Sequence, residues 1–285
     1  MPNYTDYTIG VIGMGFVGGS IFRGFAGYAD MRGYDHDDSR STHTFAEALD
    51  SDFVFIAVPT PMERVDGGRA SMEYIEAVLE RIVAAGYRDD TVFVIKSTIP
   101  PGTTQKLIGK YKIYTLVHSP EFLTERHALI DFLTPSRHII GAYSSAAGDR
   151  LEKLYNARFP GVAVHRMRPD EAELVKYGAN CFFATKVMFF NELYLLSHAF
   201  DMDWDAVMGG IMADGRIGMS HNAVPGHDGD MGFGGKCFPK DLNGLLAVFG
   251  DMDLDPKLMR AAWEQNKVLR ENWDWAEIKG AVCDE

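Results

Sequence analysis

The chain has 285 residues, a formal net charge of −12, 46% hydrophobic and 24% charged residues. That allows one large or two medium domains with a substantial core. The acidity disfavours nucleic-acid and anionic-membrane partners, while a few placed residues can still meet an anionic substrate. The three cysteines, Cys181, Cys237 and Cys283, form no disulfide framework and fit a reducing compartment. Met1 to Tyr7 is polar and lacks the charged-then-apolar layout of a signal peptide. No apolar run approaches a membrane span, so a cytoplasmic protein without a membrane partner is expected.

Tyr7 to Ile12 reads as a strand, Phe16 to Tyr28 as a helix, and Met31 to Asp35 as a second strand. Phe53 to Val58 is a continuous apolar run, as in a buried parallel strand. Ser71 to Tyr87 has helical spacing, with apolar Ile75, Val78, Leu79, Ile82 and Val83. Thr91 to Ile95 is another buried strand, and Lys112 to Val117, Ser136 to Ile140 and Val162 to His165 are read as later strands. This alternation implies a parallel sheet covered on both faces. The pattern changes at Arg168. Pro169, Asp170, Glu171 and Glu173 suit a helix N-terminus, and the helical pattern runs to about Phe200. Asp203 to Met212, Pro239 to Phe249 and Pro256 to Arg270 read as helices, and Asp214 to Phe238 as an ordered glycine-rich loop. The expected fold is α/β: a Rossmann-type doubly wound sheet over residues 1–167, then an all-helical central domain over 168–285.

Gly13, Gly15 and Gly18 form G-x-G-x-x-G between the first strand and the first helix, with Phe16 and Val17 opening that helix. Such glycines permit a tight turn, close approach to a pyrophosphate and close helix–strand packing. The helix N-terminus adds free N–H groups and partial positive charge. Asp35, at the end of the second strand, suits the ribose hydroxyls of NAD and would repel the 2′-phosphate of NADP. Thr60 with Pro61, and Thr98, stand in loops after later strands, where open α/β sheets bind ligands. Taken singly, each threonine is equally consistent with a turn or a helix cap.

The segment Gly232-Phe233-Gly234-Gly235-Lys236-Cys237-Phe238-Pro239-Lys240-Asp241 places a cysteine where a glycine-rich loop enters a helix. Such a thiol is accessible, and a positive helix end stabilises its thiolate. Cys181 lies in an apolar helical stretch and Cys283 near the C-terminus, where a structural role is the expectation. Lys176 and Asn180 stand at i and i+4 on the long helix, and Glu121 and Glu125 share that spacing after a strand. Alone, Lys176 and Glu125 would be solvated charges and Asp241 a helix N-cap.

Taken together and in order, Gly13 to Gly18, Thr60, Lys96 to Thr98, Pro120 to Glu125, Lys176 with Asn180, Arg216 to Gly218 and Phe233 to Asp241 resemble the UDP-glucose/GDP-mannose 6-dehydrogenase family. The resemblance implies an NAD-dependent oxidation of a nucleotide sugar at its C6 hydroxyl, twice, through a thiohemiacetal and a thioester on Cys237. It implies that Lys176 and Asn180 stabilise the oxyanion, that Asp241 orients Lys176 or a water, and that Glu121 activates the hydrolytic water with help from Thr98. Glu125 would line the cofactor pocket, as would Thr60 and Pro61. Glu121, Phe122, Leu123, Arg216, Phe233, Gly234 and Gly235 would contact substrate, Arg216 from a neighbouring subunit. No metal is called for. The long helix is the family's dimer element, so a homodimer is implied.

Full-length members usually have a third, Rossmann-like lobe, whereas the resemblance here covers the cofactor and central domains. Lys236 stands where many relatives have a small residue. Two competing readings keep the two-domain outline: a hydroxy-acid dehydrogenase of the 6-phosphogluconate type, which needs no nucleophilic cysteine, and a non-catalytic NAD-binding subunit.

Overall fold

A computed structural model describes residues 6–283. Seven strands form one sheet: β1 (Thr8–Ile12), β2 (Asp30–Tyr34), β3 (Phe53–Ile56), β4 (Val92–Ile95), β5 (Leu116–His118), β6 (His138–Ala142) and β7 (Val164–Met167). Their order is β2-β1-β3-β4-β5-β6-β7. Side chains alternate across the sheet, so the central strands β1, β3, β4 and β5 each feed two cores. Ile9 and Val11, Phe53 and Phe55, and Val92 and Val94 pack on one face with Ile21 and Phe25 of α1 (Phe16–Phe25) and Leu151 and Leu154 of α6 (Ser145–Arg158). Ile12, Val54, Ile56, Phe93 and Ile95 pack on the other with Ile75 and Leu79 of α3 (Glu73–Ala85) and Leu107 of α4 (Thr103–Tyr111). Such two-sided burial explains why β3 and β4 read as unbroken apolar runs.

The expected doubly wound sheet followed by helices is what the structure has, with differences in detail. The sheet is mixed: β6 runs antiparallel to β5, through Val117 opposite Ala142 and His118 opposite Gly141. The strand expected from Lys112 begins only at Leu116. Helix α4 runs to Tyr111, and Lys112 caps it in the left-handed region at φ 59°. Four helices not expected from the sequence are α2 (Phe45–Leu49), α4, α5 (Ala128–Leu133) and α6. α2 is only five residues long and depends on a capping box between Thr44 and Glu47.

The chain divides into two compact units, Met1–Thr60 with Met72–Lys176, and Pro61–Ser71 with Tyr177–Glu285. The change from one to the other therefore falls within α7 (Pro169–Ala199), beyond residue 167, and the segment after β3 joins the second unit. That second unit adds α8 (Trp204–Met212), α9 (Phe238–Asp251) and α10 (Lys257–Leu269). Its core joins Tyr177, Ala184 and Met188 of α7 to Phe233, Leu242, Trp263 and Trp275, with Met62 from the Pro61–Ser71 segment. That segment is tied in by backbone and side chain. Met62 N–H donates to Ala281 O at 2.8 Å, Trp275 Nε1 to Val65 O at 2.8 Å, and Lys267 pairs with Asp66 at 2.9 Å. Phe182, Phe189 and Leu196, seven residues apart on α7, are 63%, 55% and 53% exposed, an apolar stripe this unit leaves uncovered. Among the described residues no helix is long and apolar enough to cross a membrane.

Candidate functional site

In the first unit the strand order reverses direction between β1 and β3, and ligand crevices open at such points, beyond the carboxyl ends of the strands. The glycine turn stands there. Gly13 has φ +91° and its N–H donates to Tyr34 O at 2.9 Å. A side chain on Gly18 would collide with the Gly13 carbonyl oxygen, whereas one on Gly15 would meet nothing within 4 Å. Gly18 thus serves packing, and Gly15 borders open space. Helix α1 begins after Gly15 with no side-chain cap and no acidic residue in its first turn, where Phe16 and Val17 stand. Uncapped first N–H groups of this kind suit a pyrophosphate. Asp35 is buried. Its Oδ2 accepts the Met14 N–H at 2.6 Å, and its Oδ1 accepts the Asp37 N–H at 3.0 Å and lies 2.9 Å from His36 Nδ1. A carboxylate has about four lone-pair sites, so capacity for a ribose hydroxyl remains.

Two threonines named from the sequence meet, since Thr60 Oγ1 donates to Thr98 O at 2.9 Å and both are buried. The Thr60 hydroxyl therefore braces the loop after β4. Pro61 is buried and opens the segment that belongs to the second unit.

At the end of β5 the Glu121 carboxylate is held at both oxygens. Oε1 lies 3.1 Å from Lys176 Nζ, and Oε2 accepts the Leu123 N–H at 2.5 Å. Lys96, buried at the end of β4, donates to Pro120 O at 3.2 Å and approaches Ser119 Oγ at 3.4 Å. Burial pushes its ammonium pKa down to about 7, with the Lys176 charge acting in the same direction and Glu121 opposing both. Beside this group is a cavity of about 250 Å3 lined by Lys96, Glu121, Phe122, Leu123, Arg137 and His138, among others. The Phe122 ring receives Arg137 at 4.0 Å and Lys176 at 5.5 Å. Glu125 is exposed, in a 3-10 turn over Glu125–His127.

In the second unit Cys237 is the N-cap residue of α9, half-buried, with Pro239 in the first turn. Asp241 is therefore inside the helix rather than capping it, and its N–H donates to Cys237 O at 2.8 Å. Asp241 Oδ2 accepts from Asn180 Nδ2 at 2.5 Å, and Oδ1 pairs with Lys240. A buried carboxylate needs such partners. Cys181 is buried, and its thiol donates to Asp241 O at 3.7 Å. Burial, with the Asp241 charge, pushes that thiol's pKa far up, which disfavours its thiolate. Phe233 is buried against Trp263, whereas Gly234 and Gly235 are partly accessible. Arg216 is exposed and bound to Asp214 in its own turn.

The family model for the NAD-binding domain of UDP-glucose/GDP-mannose dehydrogenases matches residues 38–158, and that for the central domain matches residues 170–268. A UDP-glucose dehydrogenase structure from the archaeon Pyrobaculum islandicum superposes with a TM-score of 0.81 at 30% identity, covering 94% of this chain and 69% of that one. The chain belongs to the UDP-glucose/GDP-mannose dehydrogenase family. The UDP-glucose 6-dehydrogenase of Rickettsia bellii (strain RML369-C) is 34% identical over 240 residues, 82% of this chain and 53% of that protein. The chain spans about half the length of the curated relatives it matches. A 3-hydroxyisobutyrate dehydrogenase from Mycobacterium tuberculosis, at 16% identity and TM-score 0.73, shares the fold.

The first unit is accordingly this family's NAD-binding domain. The glycine turn and Asp35 precede the matched stretch, and their fit to a dinucleotide rests on their own geometry. Lys96 and Lys240 stand inside the sequence motifs, though neither had a role assigned from them. Asn191, Asn266, Arg270 and Asp274 of the second unit were not singled out in the sequence, because they act through contacts that no local pattern announces.

Proposed function

We propose that the chain catalyses the NAD-dependent four-electron oxidation of a nucleotide sugar, UDP-glucose, at C6 to the carboxylate. The observation that carries this is Cys237 at the head of α9 with the buried Asn180–Asp241 pair beside that helix's first turn. A thiol there can hold an aldehyde covalently between two oxidations, which a hydroxy-acid dehydrogenase has no need to do. NAD, when bound, accepts the hydride in each oxidation. Gly13, Gly15, Phe16, Val17 and Gly18 would hold its pyrophosphate and Asp35 its ribose, and Thr60, Pro61, Thr98 and Glu125 would be further cofactor-binding residues.

The C6 hydroxyl loses its proton to the Lys176–Glu121 system and becomes the aldehyde. The Cys237 thiolate adds to that carbon, forming a C–S bond and an oxyanion that Lys176 and Asn180 stabilise by charge and hydrogen bonding. A second oxidation converts this thiohemiacetal to the thioester. Glu121, with Thr98, directs water onto the carbonyl, the C–S bond breaks, and Cys237 leaves as thiolate. Asp241 orients Asn180. Phe122, Leu123, Phe233, Gly234, Gly235 and Arg216 contact the sugar nucleotide. A cytoplasmic setting would keep the thiol reduced.

The test is NADH formed per sugar consumed over a panel of UDP- and GDP-sugars. Two NADH per sugar, lost in Cys237→Ser, supports the reading. One NADH per sugar, unchanged in the variant, overturns it in favour of a two-electron dehydrogenase. NAD binding without turnover on any sugar favours a non-catalytic subunit. The exposed Phe182, Phe189 and Leu196 stripe supports the homodimer. Phe189→Glu should convert a dimer to a monomer in sedimentation, and a monomeric native chain would end that proposal.

A further inference from the structure

The stretch Gly232–Gly235 leads into Cys237, and side chains from distant parts of the second unit hold its backbone. Asn191 Oδ1 on α7 accepts the Gly232 N–H at 2.8 Å. Asn266 on α10 grips Phe233 twice: its Oδ1 accepts the Phe233 N–H at 2.7 Å and its Nδ2 donates to Phe233 O at 3.0 Å. Asp274, opening the 3-10 turn Asp274–Ala276, takes the Gly235 N–H on both carboxylate oxygens at 3.1 Å. Arg270 joins these contacts. Its Nη2 lies 3.2 Å from Asp274 and 2.6 Å from Asp228, and its Nη1 donates to Met231 O at 3.3 Å. Asn191, Asn266 and Arg270 are all buried.

Gly232 and Phe233 are buried, so their backbone groups need protein partners. Here side chains distant in sequence supply them, as Asp274 does for the partly accessible Gly235, which water could have served. Ordering each residue costs about 1–2 kcal/mol of conformational freedom, and glycine has the most to lose. The fit is also close enough at two of the glycines that an added side chain would displace the groups that hold them. One on Gly232 would meet Asn266 Oδ1, and one on Gly234 would meet both Asp274 and Arg270. Such an investment in the path just before a thiol acts on where that thiol stands.

We propose that Asn266, Arg270 and Asp274, with Asn191, are positioning residues for Cys237, holding Gly232–Gly235 in the one backbone path that delivers the sulfur to the head of α9. This rests on Cys237 being the reacting thiol. None of the four touches the reacting atoms; they act through the loop.

The test is iodoacetamide alkylation of Cys237 against pH, followed by peptide mass spectrometry. It is run with hydrogen exchange of the 232–237 region on the full chain and on Arg270→Met, Arg270→Lys and Asp274→Asn. Arg270→Met and Asp274→Asn should raise exchange of the loop by about tenfold and move the alkylation midpoint by at least about half a pH unit. Arg270→Lys should restore most of both. Were Arg270→Met not to fold, Asp274→Asn, which leaves the Arg270–Asp228 pair intact, decides alone. An unchanged midpoint in folded variants of a reactive wild type overturns the positioning role alone. A wild-type Cys237 no more reactive than Cys283 at every pH overturns the nucleophile reading, and this proposal with it.

Discussion

The two units hold their chemical groups by different means. In the first, Lys96, Glu121 and the glycine turn sit at or just beyond the ends of strands whose backbone ladder is continuous, so the sheet itself fixes them. In the second, no sheet is present among the described residues, and the cysteine loop is held by amides and ions from α7, α10 and the turn after α10. Backbone ladders tolerate side-chain change. A clamp made of side chains does not, so substitutions should be felt differently in the two units.

The largest effect expected is on turnover. Cys237→Ser should lower kcat at least about a thousandfold, the scale of losing a catalytic nucleophile, with NAD affinity unchanged by calorimetry. A loss of NAD affinity instead would mean that the thiol acts on the cofactor site. Next are two substitutions within one turn of the first unit. Gly18→Ala forces a methyl onto the Gly13 carbonyl and should cost about 3 kcal/mol in denaturant unfolding. Gly15→Ala points into open space and should stay within about 0.5 kcal/mol of wild type, yet weaken NAD binding by at least about tenfold, or 1.4 kcal/mol. Equal stability losses at both positions would contradict the division between packing and ligand contact.

In the second unit, Asn266→Ala strands both backbone groups of Phe233 and should cost about 2–3 kcal/mol. A cost below about 0.5 kcal/mol would mean that water replaces the amide. The smallest effect, taken per pH unit, concerns Lys96. Its folded-state pKa, about 7, lies below the 10.5 of an ordinary lysine. Between those values the unfolded chain binds the extra proton. Stability therefore rises with pH across that window, by at most about 1.4 kcal/mol per pH unit. Lys96→Met should remove this slope from urea-unfolding curves measured between pH 7 and 10, and an unaltered slope would show that Lys96 stays charged when folded.

The same contrast explains what was legible beforehand. β3 and β4 are unbroken apolar runs because both their faces are buried, and the glycine turn and Asp35 stand where their local spacing placed them, between β1 and α1 and just after β2. The capping box Thr44–Glu47 was equally readable, but a five-residue helix offers too few apolar positions to show a period. The antiparallel direction of β6 has no local signature, since its alternation is the same either way. The cysteine motif was visible in its own segment. Its support was not, because Asn266 and Phe233 are joined only through space, and a single asparagine in a helix ordinarily faces water.

The placement of Pro61–Ser71 bears on the order in which the chain is completed. Made from its N-terminus, the protein releases this segment early, and domains fold in that direction as they emerge. The groups that satisfy it, Asp251, Lys267, Trp275 and Ala281, are synthesised 182 residues or more after their partners in it. Met62 is apolar surface without cover for that interval, and the second unit cannot close until the chain has emerged through Ala281. A gene begun after residue 167 would likewise yield a helical fragment with one wall missing.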